Sequence, residues 1–253
     1  MAVLLVGVYA ILLYVAVFQS DGLIFQPRPS SYQDSAEVLK LTTRDGKKIS
    51  AIYLFNPQAK YTILFSHGNA EDIGDDRPLL NWFRGAGFSV LAYDYHGYGT
   101  SEGKPGEKNS YMDIDAAYEY LTQTVHLNPT SIICYGRSVG SGPAVDLASR
   151  EPVAGLIIQS GFTSAFRVLA IGRLIPFEKF NNIAKMTSVH CPVLVMHGRS
   201  DGIIPFHHGE LLLAAAHEPK SHLWVDRAGH NDFVNVAGKR LIAALTAFAQ
   251  TLQ

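Results

Sequence analysis

The run Ser131-Ile-Ile-Cys-Tyr135 leads directly into Gly136-Arg137-Ser138-Val139-Gly140, and a stretch with helical spacing follows. The pentapeptide G-x-S-x-G thus stands at a strand-to-helix turn, where a strained backbone holds the central serine out from the chain. Glycine two positions to either side keeps a Cβ off the neighbouring strand and helix. A serine hydroxyl is un-ionised at neutral pH, so as a nucleophile it needs a base, and an imidazole base needs a carboxylate to orient it. Two later loops offer them: His197-Gly-Arg-Ser-Asp201 follows the apolar run Val193 to Met196, and Gly229-His230-Asn231-Asp232 follows a run ending at Val225. Ser138, Asp201 and His230 are therefore the candidate catalytic set, with Asp226 and Asp232 as alternative acids. His67, His197, His207, His208, His217 and His222 are weaker bases because they precede a turn, lie on a helix or lie within a strand. Acyl transfer also needs donors aimed at the developing oxyanion. The N–H of Val139 supplies one, and the N–H of Asn69 in Ser66-His67-Gly68-Asn69-Ala70 supplies the other, with His67 structural. The plainer alternatives are a glycine-rich turn with a capping serine and a turn with a packed histidine.

These residues need a scaffold that brings three distant loops to one edge. Short apolar runs at Tyr61 to Phe65, Phe88 to Tyr93, Ser131 to Tyr135, Val153 to Gln159, Val193 to Met196 and His222 to Val225 alternate with helical stretches. That alternation predicts an α/β fold with a mostly parallel sheet and helices on both faces. The helices are expected at Arg77 to Gly85, Ser110 to Val125, Val139 to Ser149, His208 to Ala216 and Gly238 to Leu252, the second opening on a Ser110/Asp113 capping box. Ahead of them, Glu37 to Thr43 and Lys48 to Asn56 flank Asp45-Gly46 and read as a hairpin. The connection between Gln159 and Val193 is longer than ordinary links and carries Phe162, Phe166, Leu169, Ile171, Leu174, Ile175 and Phe177, which suggests a small cap over residues 161–190.

Ala2 to Phe18 is uncharged and interrupted only by Gly7. As a helix it would reach about 25 Å, so we expect a single-pass membrane anchor over residues 1–20, a linker over 21–36 and one catalytic domain over 37–253. A signal peptide would show a basic residue before the run and a small-x-small site after it, and a buried helix would show a polar stripe. Arg28, Lys40, Arg44, Lys47 and Lys48 all follow the run, which mildly favours a cytoplasmic body. Across 253 residues the net charge is −1, with 47% hydrophobic residues, which excludes a disordered chain and gives no basic footprint for nucleic acid. Cys134 and Cys191 adjoin strand runs and read as core thiols, and no cofactor or metal cluster is expected.

At this point the chain resembles the α/β-hydrolase superfamily, and more narrowly a membrane-associated branch of serine hydrolases that includes eukaryotic protein depalmitoylases. The resemblance is carried by His67-Gly-Asn-Ala70, Tyr93-Asp-Tyr-His-Gly-Tyr-Gly99, Ser101-Glu-Gly103, Tyr135-Gly-Arg-Ser-Val-Gly140, Pro143 with Val145-Asp-Leu-Ala-Ser149, Pro192-Val-Leu-Val-Met-His-Gly198, Asp201 and Gly229-His-Asn-Asp232. It implies an eight-stranded sheet, a triad of Ser138, Asp201 and His230 in the superfamily's chain order, and oxyanion donors at Asn69 and Val139. His96 stands where this branch often has arginine, and no cysteine precedes Cys134, whereas the depalmitoylases of the branch use lipidated N-terminal cysteines.

The expected activity is hydrolysis of an ester or thioester of a small acyl or lipid-like substrate, lipidated proteins included. A peptidase acting on short peptides, for which Glu178 is the cap's only acidic residue, and a non-catalytic binding module on the same fold are the alternatives.

Overall fold

The apolar runs of the sequence become a twisted eight-stranded sheet in the order β1-β2-β4-β3-β5-β6-β7-β8. The computed structural model describes residues 2–168 and 174–252. In chain order the elements are α1 (Ala2–Phe18), α2 (Ser20–Ile24), β1 (Leu39–Thr42), β2 (Lys48–Leu54), β3 (Thr62–Ser66), α3 (Arg77–Gly85), β4 (Ser89–Tyr93), α4 (Glu107–Glu119), β5 (Ile132–Arg137), α5 (Ser141–Ala148), β6 (Gly155–Gln159), α6 (Ala165–Val168), α7 (Asn182–Lys185), β7 (Val193–Gly198), α8 (His207–Ala215), β8 (Lys220–Val225), α9 (Phe233–Ala237) and α10 (Lys239–Thr251). β2 runs antiparallel to β1 and β4, and every later pairing is parallel.

Successive side chains of a strand point to opposite faces, and here both faces are covered. Leu64 and Cys134 turn toward α4, α5 and α8, whereas Ile63, Phe65, Ile133 and Tyr135 turn toward α3, α9 and α10. Parallel strands deliver their C-terminal ends to one edge, which is where an open α/β sheet presents its crevice. The loops after β3, β5, β7 and β8 all emerge there.

Two sequence expectations need correction. α4 starts at Glu107, behind Gly106, rather than at a Ser110 cap. Ser110 Oγ donates back to the Glu107 carbonyl, and Asp113 is turned inward onto His96, so neither forms a capping box. The second concerns the expected bilayer-crossing helix. Ala2–Phe18 is helical, but among the described residues no helix is long and apolar enough to cross a membrane. Its 17 residues stand at the short limit for a crossing, which takes about 20, and its last turns are taken up by the body. Only its C-terminal part meets the body, through Ala16 and Leu12 against Phe166, Ile175 and Phe177.

Residues 21–36, expected as a linker, lie against the domain. Phe25 is buried, with its ring edge-on to Tyr95 and Tyr98 at 6.2 and 6.3 Å and 5.9 Å from Phe180. In the cap, Phe162, Phe166 and Ile175 are buried and Leu174 is exposed. Leu169 and Ile171 lie outside the described residues. Cys134 is fully buried and Cys191 half-buried, and burial raises both thiols, that of Cys191 to about 12.

Candidate active site

The turn after β5 shows why its residue types are required. Ser138 has φ +54°, a left-handed backbone that L residues rarely adopt. A Cβ on Gly136 would fall 2.7 Å from Ser141 Cα, and one on Gly140 would fall on the Ser66 and His67 carbonyl oxygens. The turn therefore closes against β3 and α5 only with glycine at both places. Ser141 Oγ donates to the Ser138 carbonyl at 2.7 Å and holds the turn from below. The Ser138 side chain reaches the surface only through the crevice, the residue being 9% exposed.

The structure brings Ser138, His230 and Asp201 together. Ser138 Oγ lies 2.8 Å from His230 Nε2, and His230 Nδ1 lies 2.8 Å from Asp201 Oδ2. The consistent tautomer has Nδ1–H donating to the carboxylate, so that Nε2 accepts from the serine hydroxyl. Asp201 Oδ1 accepts from the N–H groups of Ile203 and Ile204 at 2.9 and 2.8 Å. Burial pushes this carboxyl up, but the nearby His197 imidazole and hydrogen bonds from His230 and Ile204 outweigh it and hold Asp201 well below the usual carboxylate range. The alternative acids lie elsewhere: Asp232 accepts from the Gly229 N–H at 2.6 Å within its own loop, and Asp226 pairs with Arg199 at 3.1 Å.

Asn69 and Val139 line the same cavity as Ser138, a space of ≈ 450 Å³ walled also by Ile24, Phe162 and His230. The Asn69 side chain has a separate task. Its Nδ2 donates to the Ile24 carbonyl at 2.7 Å, and its Oδ1 accepts from Gln26 N–H at 2.8 Å and from Tyr98 Oη at 2.6 Å. His67 is buried beneath this loop, 3.4 Å from Asp94 and 4.3 Å from the Tyr95 ring. His96, where the resemblance leads one to expect arginine, pairs with Asp113 at 2.5 Å. Burial raises the Asp113 carboxyl to about 6, against the pull of His96.

Two features escaped the sequence reading. His197 is buried on the far side of Asp201, its Nε2 2.9 Å from the Ile204 carbonyl and 3.4 Å from Asp201 Oδ2. Its position at the end of β7, four residues before the acid, was the available signal. Arg137 forms ion pairs with Glu71 and, at 3.0 Å, with Asp76. Burial and the neighbouring Glu71 raise Asp76 to about 7. These three line a second cavity, ≈ 600 Å³, which shares His230 with the first.

A sheet of this order with loops converging at its C-terminal edge defines an α/β-hydrolase. The same architecture recurs in an esterase of Pyrococcus furiosus, with a TM-score of 0.74 at 19% identity over 90% of this chain and 99% of that one. An esterase domain from Rhodothermus marinus aligns with a TM-score of 0.66 at 18% identity, over 85% of this chain and 98% of that one. Residues 57–175 match the family described as serine aminopeptidase, S33. The chain is 40% identical over 210 residues to the human alpha/beta hydrolase domain-containing protein 17B, covering 80% of this chain and 72% of the relative, and 41% identical over 210 residues to the Xenopus tropicalis protein, with the same coverage. The chain belongs to the alpha/beta hydrolase domain-containing protein 17 family and is by descent a hydrolase.

Proposed function

We propose that this hydrolase cleaves ester or thioester bonds of acyl substrates through Ser138, His230 and Asp201. The observation that carries the reading is the continuous pair of 2.8 Å contacts from carboxylate to imidazole to hydroxyl, ending on a serine held at positive φ. His230 Nε2 takes the hydroxyl proton as Oγ bonds to the acyl carbon, and Asp201 stabilises the imidazolium. The N–H groups of Asn69 and Val139 receive the oxyanion. Collapse expels the alcohol or thiol, which takes the proton from His230. Water then attacks the acyl-serine with the same base and releases the acid.

The cavity wall of Leu23, Ile24, Phe162, Val168 and Ile203 supports an acyl group on the carbonyl side, each buried methylene contributing about 0.8 kcal/mol. Membrane association through α1 is part of the same proposal and would place the enzyme beside lipid or lipidated substrates, in keeping with the depalmitoylases it resembles. A serine peptidase is the second reading, favoured by the family description over residues 57–175. Glu178, which could receive a peptide amine, already accepts from Ser164 and from Arg167 at 2.7 Å, which supports the ester over the peptide.

The test is p-nitrophenyl ester turnover and fluorophosphonate labelling of the wild type and Ser138→Ala. Loss of both in the variant is the expected result. Equal labelling of the two proteins overturns the assignment, cleavage of aminoacyl-coumarins without esterase activity moves it to the peptidase, and a folded wild type that takes no label makes it a binding module.

A further inference from the structure

The second cavity, ≈ 600 Å³ between α3 and α9, takes three carboxylates into its wall from the loop after β3: Glu71, Asp75 and Asp76. Among its described lining residues Arg137 is the only guanidinium or ammonium, and it is already engaged by Glu71 and, at 3.0 Å, by Asp76. Asp76 is 5% exposed, and its second oxygen, Oδ2, has no hydrogen-bond partner among the described residues. Asp75 beside it is exposed. Burial raises the Asp76 carboxyl to about 7, yet with Asp76 protonated two carboxylates still face one guanidinium, so the wall keeps a surplus of negative charge. Trp82 of α3 adds an indole to the same wall. Carboxylate charge and an aromatic ring in one cavity are the two features that attract an organic cation.

The place of this cavity relative to the reacting atoms gives the cation a role. Ser138, Asn69 and Val139 line only the first cavity, whose apolar wall suits the acyl group. Glu71, Arg137, His230 and Asn231 line both spaces, so the two meet at the imidazole. His230 Nε2, 2.8 Å from Ser138 Oγ, is the atom that returns a proton to the departing oxygen or sulfur. The leaving group must therefore lie against His230. With the acyl group on one side of that ring, the acidic cavity is the space on the other.

We propose that the second cavity is the leaving-group subsite and that it selects an alcohol or thiol carrying a positive charge, with Asp75, Asp76 and Trp82 as the residues that determine this specificity. The inference rests on the acyl-hydrolase reading above. An ammonium or guanidinium there meets the surplus carboxylate charge and the indole, whereas an anionic leaving group meets like charge and is rejected.

Two substrate pairs sharing a butyryl group test the charge in the full chain, with released thiol as the signal. Butyrylthiocholine is set against its uncharged isostere 3,3-dimethylbutyl thiobutyrate, and a peptide in which S-butyrylcysteine precedes lysine against the same peptide with glutamate. The common acyl-enzyme means that kcat/KM separates only the steps up to departure of the thiol. The wild type is expected to favour the cationic member about tenfold, and Asp75→Lys to bring the ratio to about one. Asp75→Asn is expected to lower it about threefold and reports the same ratio if the lysine variant does not fold. A preference in the thiocholine pair alone assigns a compact quaternary ammonium and one in the peptide pair alone a basic peptide, and either supports the cationic subsite. A wild-type ratio near one in both pairs, or a preference that neither Asp75 variant lowers, overturns it. The fluorescence of Trp82, read in Trp224→Phe, is titrated with choline and with N-acetyl-lysinamide against sodium chloride of equal ionic strength, and a change lost in Asp75→Lys is expected. A wild type that takes no fluorophosphonate while this change persists defeats the hydrolase reading, and the leaving-group role with it, but leaves the cation site standing.

Discussion

Asn69 Nδ2 donates to the Ile24 carbonyl across 2.7 Å, joining the loop after β3 to a segment 45 residues earlier in the chain. The loop proposed to supply an oxyanion donor therefore also holds one wall of the cavity. Asn69→Ala keeps the main-chain N–H but releases the wall. We expect a stability loss of about 1–3 kcal/mol by urea denaturation and a rise in KM for acyl esters that exceeds the fall in kcat. A large fall in kcat at unchanged stability and KM would show that the side chain itself acts on the reacting carbonyl.

Asp201→Asn should leave substrate binding nearly intact and lower kcat by about 10⁴, because the amide favours the wrong imidazole tautomer. Steady-state kinetics on a soluble ester separates the two parameters. A fall of less than about tenfold would remove Asp201 from the triad and return the question of the acid to its neighbours.

Arg137 sits between half-buried Glu71 and buried Asp76 on the wall of the second cavity. Truncation in Arg137→Ala leaves Asp76 unpaired while water from the cavity can reach Glu71, and is expected to cost about 1–3 kcal/mol by chemical denaturation. Adding Asp76→Asn should recover part of that loss, since it removes a charge that burial already opposes. Strict additivity of the two substitutions would show that the pair is not coupled.

His208 is buried with Nδ1 2.9 Å from Thr163 Oγ1, and burial together with His207 and His197 lowers its pKa to about 4. Between the unfolded value near 6.5 and this value, the unfolded chain binds a proton that the folded one refuses. Stability must therefore fall as pH drops through that window, by about 3 kcal/mol at most, and level off below it. The difference in urea midpoint between about pH 7 and about pH 4.5 should shrink in His208→Gln. An equal difference in both proteins would assign the acid sensitivity to other groups.

Gly140→Ala places a methyl on the carbonyl oxygens of Ser66 and His67, so the turn must move away from β3. A displacement of about 1 Å at the nucleophile lowers turnover by about 10². Fluorophosphonate labelling rates measure the effect at Ser138 directly, and a rate equal to wild type would show that the turn tolerates the shift.

Much of this protein was legible in its sequence because the signals were local. Alternation of short apolar runs with helical spacing needs no long-range knowledge, and it located the sheet from Thr62 to Val225. The turn at Ser138 was legible for the same reason, since a tight strand-to-helix bend restricts residue type within five positions. Local spacing also misled: Ser110 and Asp113 have the form of a capping box, but a buried partner, His96, draws the carboxylate inward.

By its own residues the sequence determined the strand pattern, the candidate nucleophile and the pool of partners for it. It put Asp201 ahead of Asp226 and Asp232 by loop placement, but which carboxylate reaches His230 Nδ1 depends on the fold. Nor could it reveal His197 behind Asp201, Arg137 between two carboxylates, or the 24–26 strap on Asn69, which are contacts between segments distant in sequence. The N-terminal run was legible as apolar, but only the tertiary structure divided it, burying Ala16 against the cap and leaving Leu4 to Ile11 uncovered. Hydropathy is a property of each residue, whereas burial belongs to the packing of one segment on another, and that is settled when the chain folds.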